Sequence, residues 1–311
     1  MPGEAPFKRR LKWRIEAIAF SAYSALMRLL PVDRASAFGG ALLKMLGPHT
    51  GVERTVQKNL RLAFPELSPG ERDALSRAQW ETLGRMAAEF PIMDRITVEN
   101  GRIQVEGLEH VEAARADGRP IVFVTGHLSN WEAMAAAIVW TGTPTQITYR
   151  AANNPHIDRM IVAGRARYGV TLFAPKGGDG ARDLMHGMKR GQSVALMNDQ
   201  KFAEGPEVIF FGHPVNAASG PSRLAGRFGA AIVPISVERL EGARLKVTFH
   251  RPMPPQPDAT ASTQAITRFI EDRVRERPAE WFWTHKRWPD RVYAALESES
   301  GVSVERRSGP A

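Results

Sequence analysis

Apolar positions recur at helical spacing through the first hundred residues. Ile15, Ile18, Ala22, Leu26 and Leu29 fall at intervals of three and four, which lines one face of a helix. Pro31 stops that helix, and Asp33 stands where it can cap a second one running to about Leu46. Residues 53–64 and 69–90 read as two further helices, parted by the Pro65-Glu66-Leu67-Ser68-Pro69 turn. After Gly101 the pattern changes to short β-rich runs alternating with helical stretches. Strands are predicted at Ile121–Thr125, Gln146–Tyr149, Val170–Phe173, Ser193–Met197, Val208–Phe211, Ile232–Val237 and Leu245–Phe249. Helices are predicted near 131–140, 155–167, 180–189, 219–228 and 262–276. Such interleaving predicts an α/β fold: a mixed, largely parallel central sheet flanked by helices, with a helical N-terminal portion. The expected organisation is a helical portion over residues 1–98, an α/β domain over 99–295 and a polar, aperiodic tail over 296–311, disordered by composition.

Charge alters the reading of the N-terminus. Lys8, Arg9, Arg10, Lys12 and Arg14 lead into the mostly apolar stretch Ile15–Leu30, which Glu16 and Arg28 interrupt. The stretch falls short of the roughly 20 residues that span a bilayer, and no small-residue cleavage site closes it as in a secretory leader. An amphipathic helix over 11–30, lying on the cytoplasmic face of an anionic membrane, is the expectation. Packing on the protein's own core is the alternative. Across the chain 42 Lys and Arg face 33 Asp and Glu, a formal charge of +9 that attracts polyanions without choosing among nucleic acid, lipid headgroups and acidic carrier proteins. The absence of cysteine removes disulfides, thiolate metal sites and a Cys nucleophile.

The chemistry concentrates in Ile121–Glu132, I-V-F-V-T-G-H-L-S-N-W-E, where an apolar strand runs into Gly126 and His127 and a helix begins soon after. Functional groups of α/β sheets collect at such strand ends. His127 is suited to act as general base toward an alcohol, and Glu132, five residues on, is a candidate to orient the imidazole and stabilise its cation. The two converge only if His127 precedes the helix and Glu132 lies in its first turn. Ser129-Asn130-Trp131-Glu132 also fits a capping box, so Glu132 has a purely structural alternative. No G-x-S-x-G elbow and no H-E-x-x-H pairing occurs, so neither a serine hydrolase nor a metal is expected.

Arg150, Arg165 and Arg167 are candidates for binding phosphate or an oxyanion, against solvated surface charge. Asp199, after a strand end, is a candidate for a substrate hydroxyl or an arginine, against a turn cap. Trp281, Phe282, Trp283 and Trp288, with Lys286 and Arg287, read equally as a membrane-interface belt or as core aromatics beside a basic edge. Lys176-Gly177-Gly178-Asp179-Gly180 matches no phosphate-loop pattern and reads as a flexible loop.

Several separated motifs, in order, resemble the bacterial lipid A biosynthesis acyltransferases, the late lauroyl and myristoyl transferases. They are N-L-R-L-A-F-P-E-L-S at 59–68, V-E-G-L-E-H at 105–110 and G-H-L-S-N-W-E at 126–132. Tyr149-Arg150, Gly164-Arg165-Ala166-Arg167, Asn198-Asp199-Gln200 and P-A-E-W-F-W-T-H-K-R-W at 278–288 follow. The resemblance implies an acyl carrier protein thioester as donor and a hydroxyl of a lipid A precursor as acceptor, at the cytoplasmic face of the bacterial inner membrane. It implies no cofactor. The family's His followed by an acidic residue maps onto His127 and Glu132. Acylation of a different glycolipid, or a non-catalytic basic protein that binds membrane or nucleic acid, are the competing classes; no nucleic-acid-binding motif is recognised.

Overall fold

The computed structural model describes residues 6–175, 180–254 and 256–299. Helices α1 (Phe7–Leu29), α2 (Val32–Leu46), α3 (Glu53–Ala63) and α4 (Pro69–Glu89) come first, and a 3-10 turn over Phe90–Arg95 leads out of them. Strand β1 (Ile103–Glu106) and α5 (Leu108–Ala116) follow, then β2 (Ile121–Thr125), α6 (Glu132–Trp140), β3 (Thr145–Tyr149), α7 (Pro155–Ala166), β4 (Phe173–Pro175), α8 (Gly180–Lys189) and β5 (Ser193–Met197). A hairpin β6 (Glu207–Phe210) and β7 (His213–Asn216), then α9 (Gly220–Phe228), β8 (Ala231–Arg239), β9 (Leu245–Phe249), α10 (Ala259–Glu276) and α11 (Asp290–Glu299) complete the order.

Seven strands form the main sheet in the order β1-β9-β8-β2-β5-β3-β4. Its neighbours are parallel except β8 and β9, which pair antiparallel. This is the mixed, largely parallel α/β sheet the alternation predicted. The central strand β2 is buried along its whole length, and its side chains divide between two layers. Ile121 and Phe123 join a cluster with α6 and β9, while Val122 and Val124 join one with α8, α9 and α10. Full burial of such side chains contributes about 1.5–3 kcal/mol each before entropy is counted, which fixes the strand that carries the site.

The helical N-terminal portion is not separate from this core. Val56 and Leu60 of α3 and Trp80 of α4 lie in the same cluster as Val122 and the three tryptophans at 281, 283 and 288. Asn59, fully buried, donates to the carbonyls of Trp283 and His285 and accepts from the Tyr293 hydroxyl. The C-terminal aromatics are therefore core: Trp281, Trp283 and Trp288 are buried, which sets aside the membrane-belt reading for them.

Three local expectations are corrected. Asp33 does not cap α2; its carboxylate accepts from both terminal nitrogens of Arg102 and from the Ala243 amide. The strand expected at Val170–Phe173 begins only at Phe173, because Val170 follows a left-handed Gly169 and is held by a turn bond to Arg165. Positions 296–299, expected in the tail, are helical: α11 runs to Glu299 and Lys58 pairs with Glu297. The remainder of the tail, and positions 176–179 of the glycine-rich loop, lie outside the described residues.

Among the described residues no helix is long and apolar enough to cross a membrane. Helix α1 buries Met27 against Ala35, Ala88 and Ile92, with Tyr23 and Leu30 beside them. Its other apolar face is open: Phe7, Leu11, Ile15, Ile18, Leu26 and Leu29 are all exposed. The stripe read from the sequence is thus not the face that packs on the core.

Candidate active site

Strand register decides which side chains meet. Strands β2 and β5 are parallel neighbours, with Thr125 opposite Met197, and the Asn198 amide donates to the Thr125 carbonyl at 2.9 Å. Two residues beyond that matched pair, one chain presents His127 and the other Asp199. His127 Nδ1 lies 2.7 Å from Asp199 Oδ1, and the His127 amide donates to Oδ2 at 2.6 Å. Trp281 Nε1 donates to the same Oδ2 at 2.8 Å. Gly126 permits this approach: a Cβ there would stand 3.2 Å from Asp199 Oδ2 and 3.0 Å from Ile270 Cγ2.

The Asp199 carboxylate is 4% exposed. Burial alone would raise its pKa, but the charge and hydrogen bonds of His127, with the amide and indole N–H groups, outweigh burial and hold it well below the usual carboxylate range. An ionised Asp199 accepts from Nδ1–H, so Nε2 is the imidazole's basic nitrogen. Gln200 Nε2 stands 3.4 Å from it. Phe282 stacks on the ring at 5.9 Å between centroids and Trp131 meets it edge-on at 5.0 Å.

Glu132 is not the partner of His127. It opens α6, buried, and receives Arg165 Nε at 2.9 Å, Arg165 Nη2 at 2.6 Å and the Tyr168 hydroxyl. The capping box is absent as well. Ser129 takes a left-handed backbone (φ 50°) and its Oγ has no partner, while Asn130 Oδ1 accepts the Glu132 amide at 3.2 Å. Asn130 Nδ2 in turn donates to Glu89 of α4, a fully buried carboxylate that also binds Arg239 through both terminal nitrogens. The turn carrying His127 is thereby pinned to the N-terminal helices. Arg165 is held protonated: burial works against its charge, and the Glu132 carboxylate overrides it. Its Nη1 has no partner.

These groups surround one cavity of about 450 Å³ at the carboxyl ends of β2, β3 and β5, where open α/β sheets place ligands. Met134, Ala135, Ile147 and Ala195 give it an apolar wall, His127, Glu132, Arg165 and Asp199 a polar one, and Arg150, Lys201, His285 and Lys286 line it from exposed positions. Of the four substrate-binding candidates read from the sequence, Arg150, Arg165 and Asp199 reach this cavity. Arg167 does not; it lines a separate apolar cleft of about 310 Å³ between α1 and α7, with Phe20, Phe90 and Met160. Sequence reasoning missed Tyr168 and Lys201, and it read Arg287 only as part of a membrane belt or of a basic edge beside core aromatics. Of the two missed, Lys201 had a signal, as the second residue after Asp199. Among the described residues no group of three or more His, Asp or Glu gathers as metal ligands.

Residues 4–290 match the family described as Bacterial lipid A biosynthesis acyltransferase. A lipid A biosynthesis acyltransferase of Haemophilus influenzae is 23% identical over 83% of this chain and 82% of its own length. The lipid A biosynthesis lauroyltransferase of Escherichia coli is 26% identical over 76% and 79%. A phosphatidylinositol mannoside acyltransferase of Mycobacterium tuberculosis is 27% identical over 77% and 78%.

Proposed function

The chain belongs to the bacterial lipid A biosynthesis acyltransferase family, and on that premise we propose that it moves a fatty acyl chain from an acyl carrier protein thioester to a hydroxyl of a lipid A precursor. His127 is the general base. Its Nε2 takes the hydroxyl proton as the oxygen attacks the thioester carbonyl, and Asp199 stabilises the imidazolium that forms. The tetrahedral oxyanion collapses and expels the carrier thiol, which recovers the proton. Glu132 acts through Arg165, holding the guanidinium so that Nη1 is offered to the oxyanion. Arg150 sits on the cavity wall where a substrate phosphate would enter. Arg167, in the neighbouring cleft, would meet a headgroup beside α1 rather than the reacting atoms.

The observation that carries this reading is a buried Asp199–His127 pair whose basic nitrogen faces a cavity with an apolar wall for hydrocarbon and cations at its exposed edge. The exposed apolar face of α1, following a basic segment, supports residence on the cytoplasmic face of the inner membrane. A second acceptor has support of its own, since relatives at comparable identity are named for phosphatidylinositol mannoside as well as for lipid A. The test is incubation with carrier-bound acyl chains of graded length and either a tetra-acylated lipid A precursor or a phosphatidylinositol mannoside, read by mass spectrometry. Mass gain on the first acceptor alone supports the proposal. Gain on the second alone reassigns the acceptor, and gain on neither overturns acyl transfer to both.

A further inference from the structure

The cavity carries more positive charge than its own chain neutralises. Five cationic side chains line it against two carboxylates. Glu132 is committed to Arg165, and Asp199 is saturated by His127 and Trp281. Arg150 and Lys201, both exposed, make no ion pair among the described residues, and Lys286 has an exposed 3.3 Å ion pair with Asp290 and stands 5.7 Å from the Tyr293 ring centre.

Arg287 is the unusual member. It is 3% exposed, yet its Nε and Nη2 donate to nothing. Its single side-chain hydrogen bond is long, 3.4 Å from Nη1 to the Asn216 carbonyl, and its guanidinium rests 5.1 Å from the Phe210 ring centre. Burial pulls its pKa down to about 10, with Asp199 opposing. A buried guanidinium with no carboxylate of its own destabilises the fold unless another charge compensates it.

We propose that the edge of this cavity is a phosphate-binding subsite, in which Arg150, Lys201 and Lys286 meet the anion and buried Arg287 supplies positive potential behind them. Phosphate fits better than carboxylate because several separate cations line one cavity without a fixed planar partner, and a phosphate oxygen array accepts from more than one direction. Two substrates of the proposed reaction bring such a group: the phosphodiester of the donor's pantetheine arm and a sugar phosphate of the acceptor. Only this choice of sources rests on the reading given above; phosphate binding itself does not require catalysis.

The test is titration calorimetry on the full chain with two matched pairs of probes, 4′-phosphopantetheine against pantetheine and glucosamine 1-phosphate against glucosamine. At least one phosphorylated probe is expected to bind about tenfold or more tightly than its partner, and which one does so identifies the source. Lys201→Ala/Lys286→Ala should erase that preference. Arg287→Met should weaken phosphate binding while raising the thermal midpoint, because it removes an unpaired buried charge; a purely structural arginine would give lower stability and unchanged affinity. Equal binding of phosphorylated and plain probes, or that structural outcome for Arg287→Met, overturns the proposal. Neither result depends on acyl transfer being observed.

Discussion

Glu132 and Arg165 form a buried ion pair, with side chains 4% and 13% exposed, that ties the first turn of α6 to the last turn of α7 in the wall of the cavity. Removing one partner leaves the other charged and desolvated. Glu132→Gln is expected to cost about 3–5 kcal/mol of stability and to abolish transfer. Glu132→Gln/Arg165→Met should recover much of the stability in urea unfolding while remaining inactive. Activity returning along with stability would show that the pair holds the fold and takes no part in the reaction.

Asp199 is expected to matter through the imidazole. Asp199→Asn can present an amide nitrogen toward Nδ1, which turns the proton to Nε2 and removes the base. Transfer should fall by about 10²–10⁴-fold, with little change in the concentration of acceptor needed for half-maximal rate. A loss confined to acceptor affinity would instead make Asp199 a substrate-binding residue, as the sequence had allowed.

How much of this was legible before the fold was known depends on the range of each interaction. Strands β2, β5 and β9 lie within the residues their β-branched runs mark out, because each is apolar enough to be read locally. Strands β1 and β7, four residues each, were missed: β1 is an edge strand with a single buried residue, and β7 holds a proline. His127 was legible because a strand ends just before it. Its partner was not, because the pairing of residues 127 and 199 follows from the register of two strands 72 positions apart, and nothing near either residue encodes it. The nearby acid was the natural choice and the wrong one; Glu132 answers to Arg165 and Tyr168, which approach from α7 and the turn after it.

The crossing of α2 and α4 depends on Gly39 and Gly84. A Cβ on Gly39 would overlap the Gly84 carbonyl oxygen and the Ala88 methyl, and one on Gly84 would overlap the Gly39 carbonyl oxygen. Rigid backbone offers no relief, so Gly84→Ala should destabilise by about 1–3 kcal/mol in spite of alanine's better helix propensity. Because Glu89 lies five residues further along α4 and bonds Asn130, the same variant should lose activity beyond its loss of folded protein. Activity per folded molecule equal to that of the parent would separate this crossing from the catalytic turn.

Ile15 and Ile18 are 59% and 69% exposed on the open face of α1. Replacing both by Ser leaves no cavity, and the unfolding free energy should stay within about 0.5 kcal/mol of the parent. Burial of two such side chains in an interface is worth about 3–6 kcal/mol, so co-sedimentation with anionic vesicles should fall well over tenfold. Undiminished sedimentation would remove α1 from the membrane contact and leave the charge of the chain as its cause.

His250 gives the fold a defined weakness toward acid. Its Nε2 and the Ser236 hydroxyl are 2.8 Å apart across the β8–β9 pair, and Phe269 of α10 meets its ring edge-on. Burial, reinforced by the positive charge of Arg273 and opposed by Glu238 and Glu106, lowers its pKa from 6.5 to about 4. The folded chain therefore holds this imidazole neutral where the unfolded chain binds a proton. By linkage its contribution is fully present above about pH 6.5 and is lost as pH falls from there toward 4. Urea midpoints of the parent should drop across that interval, alongside the general effect of protonating carboxylates. His250→Gln keeps a donor for Ser236 but does not titrate, so its midpoint should fall less steeply over the same interval. Parallel curves would mean that the cation is accommodated in the folded state and that the strand pair carries no proton-sensitive contact.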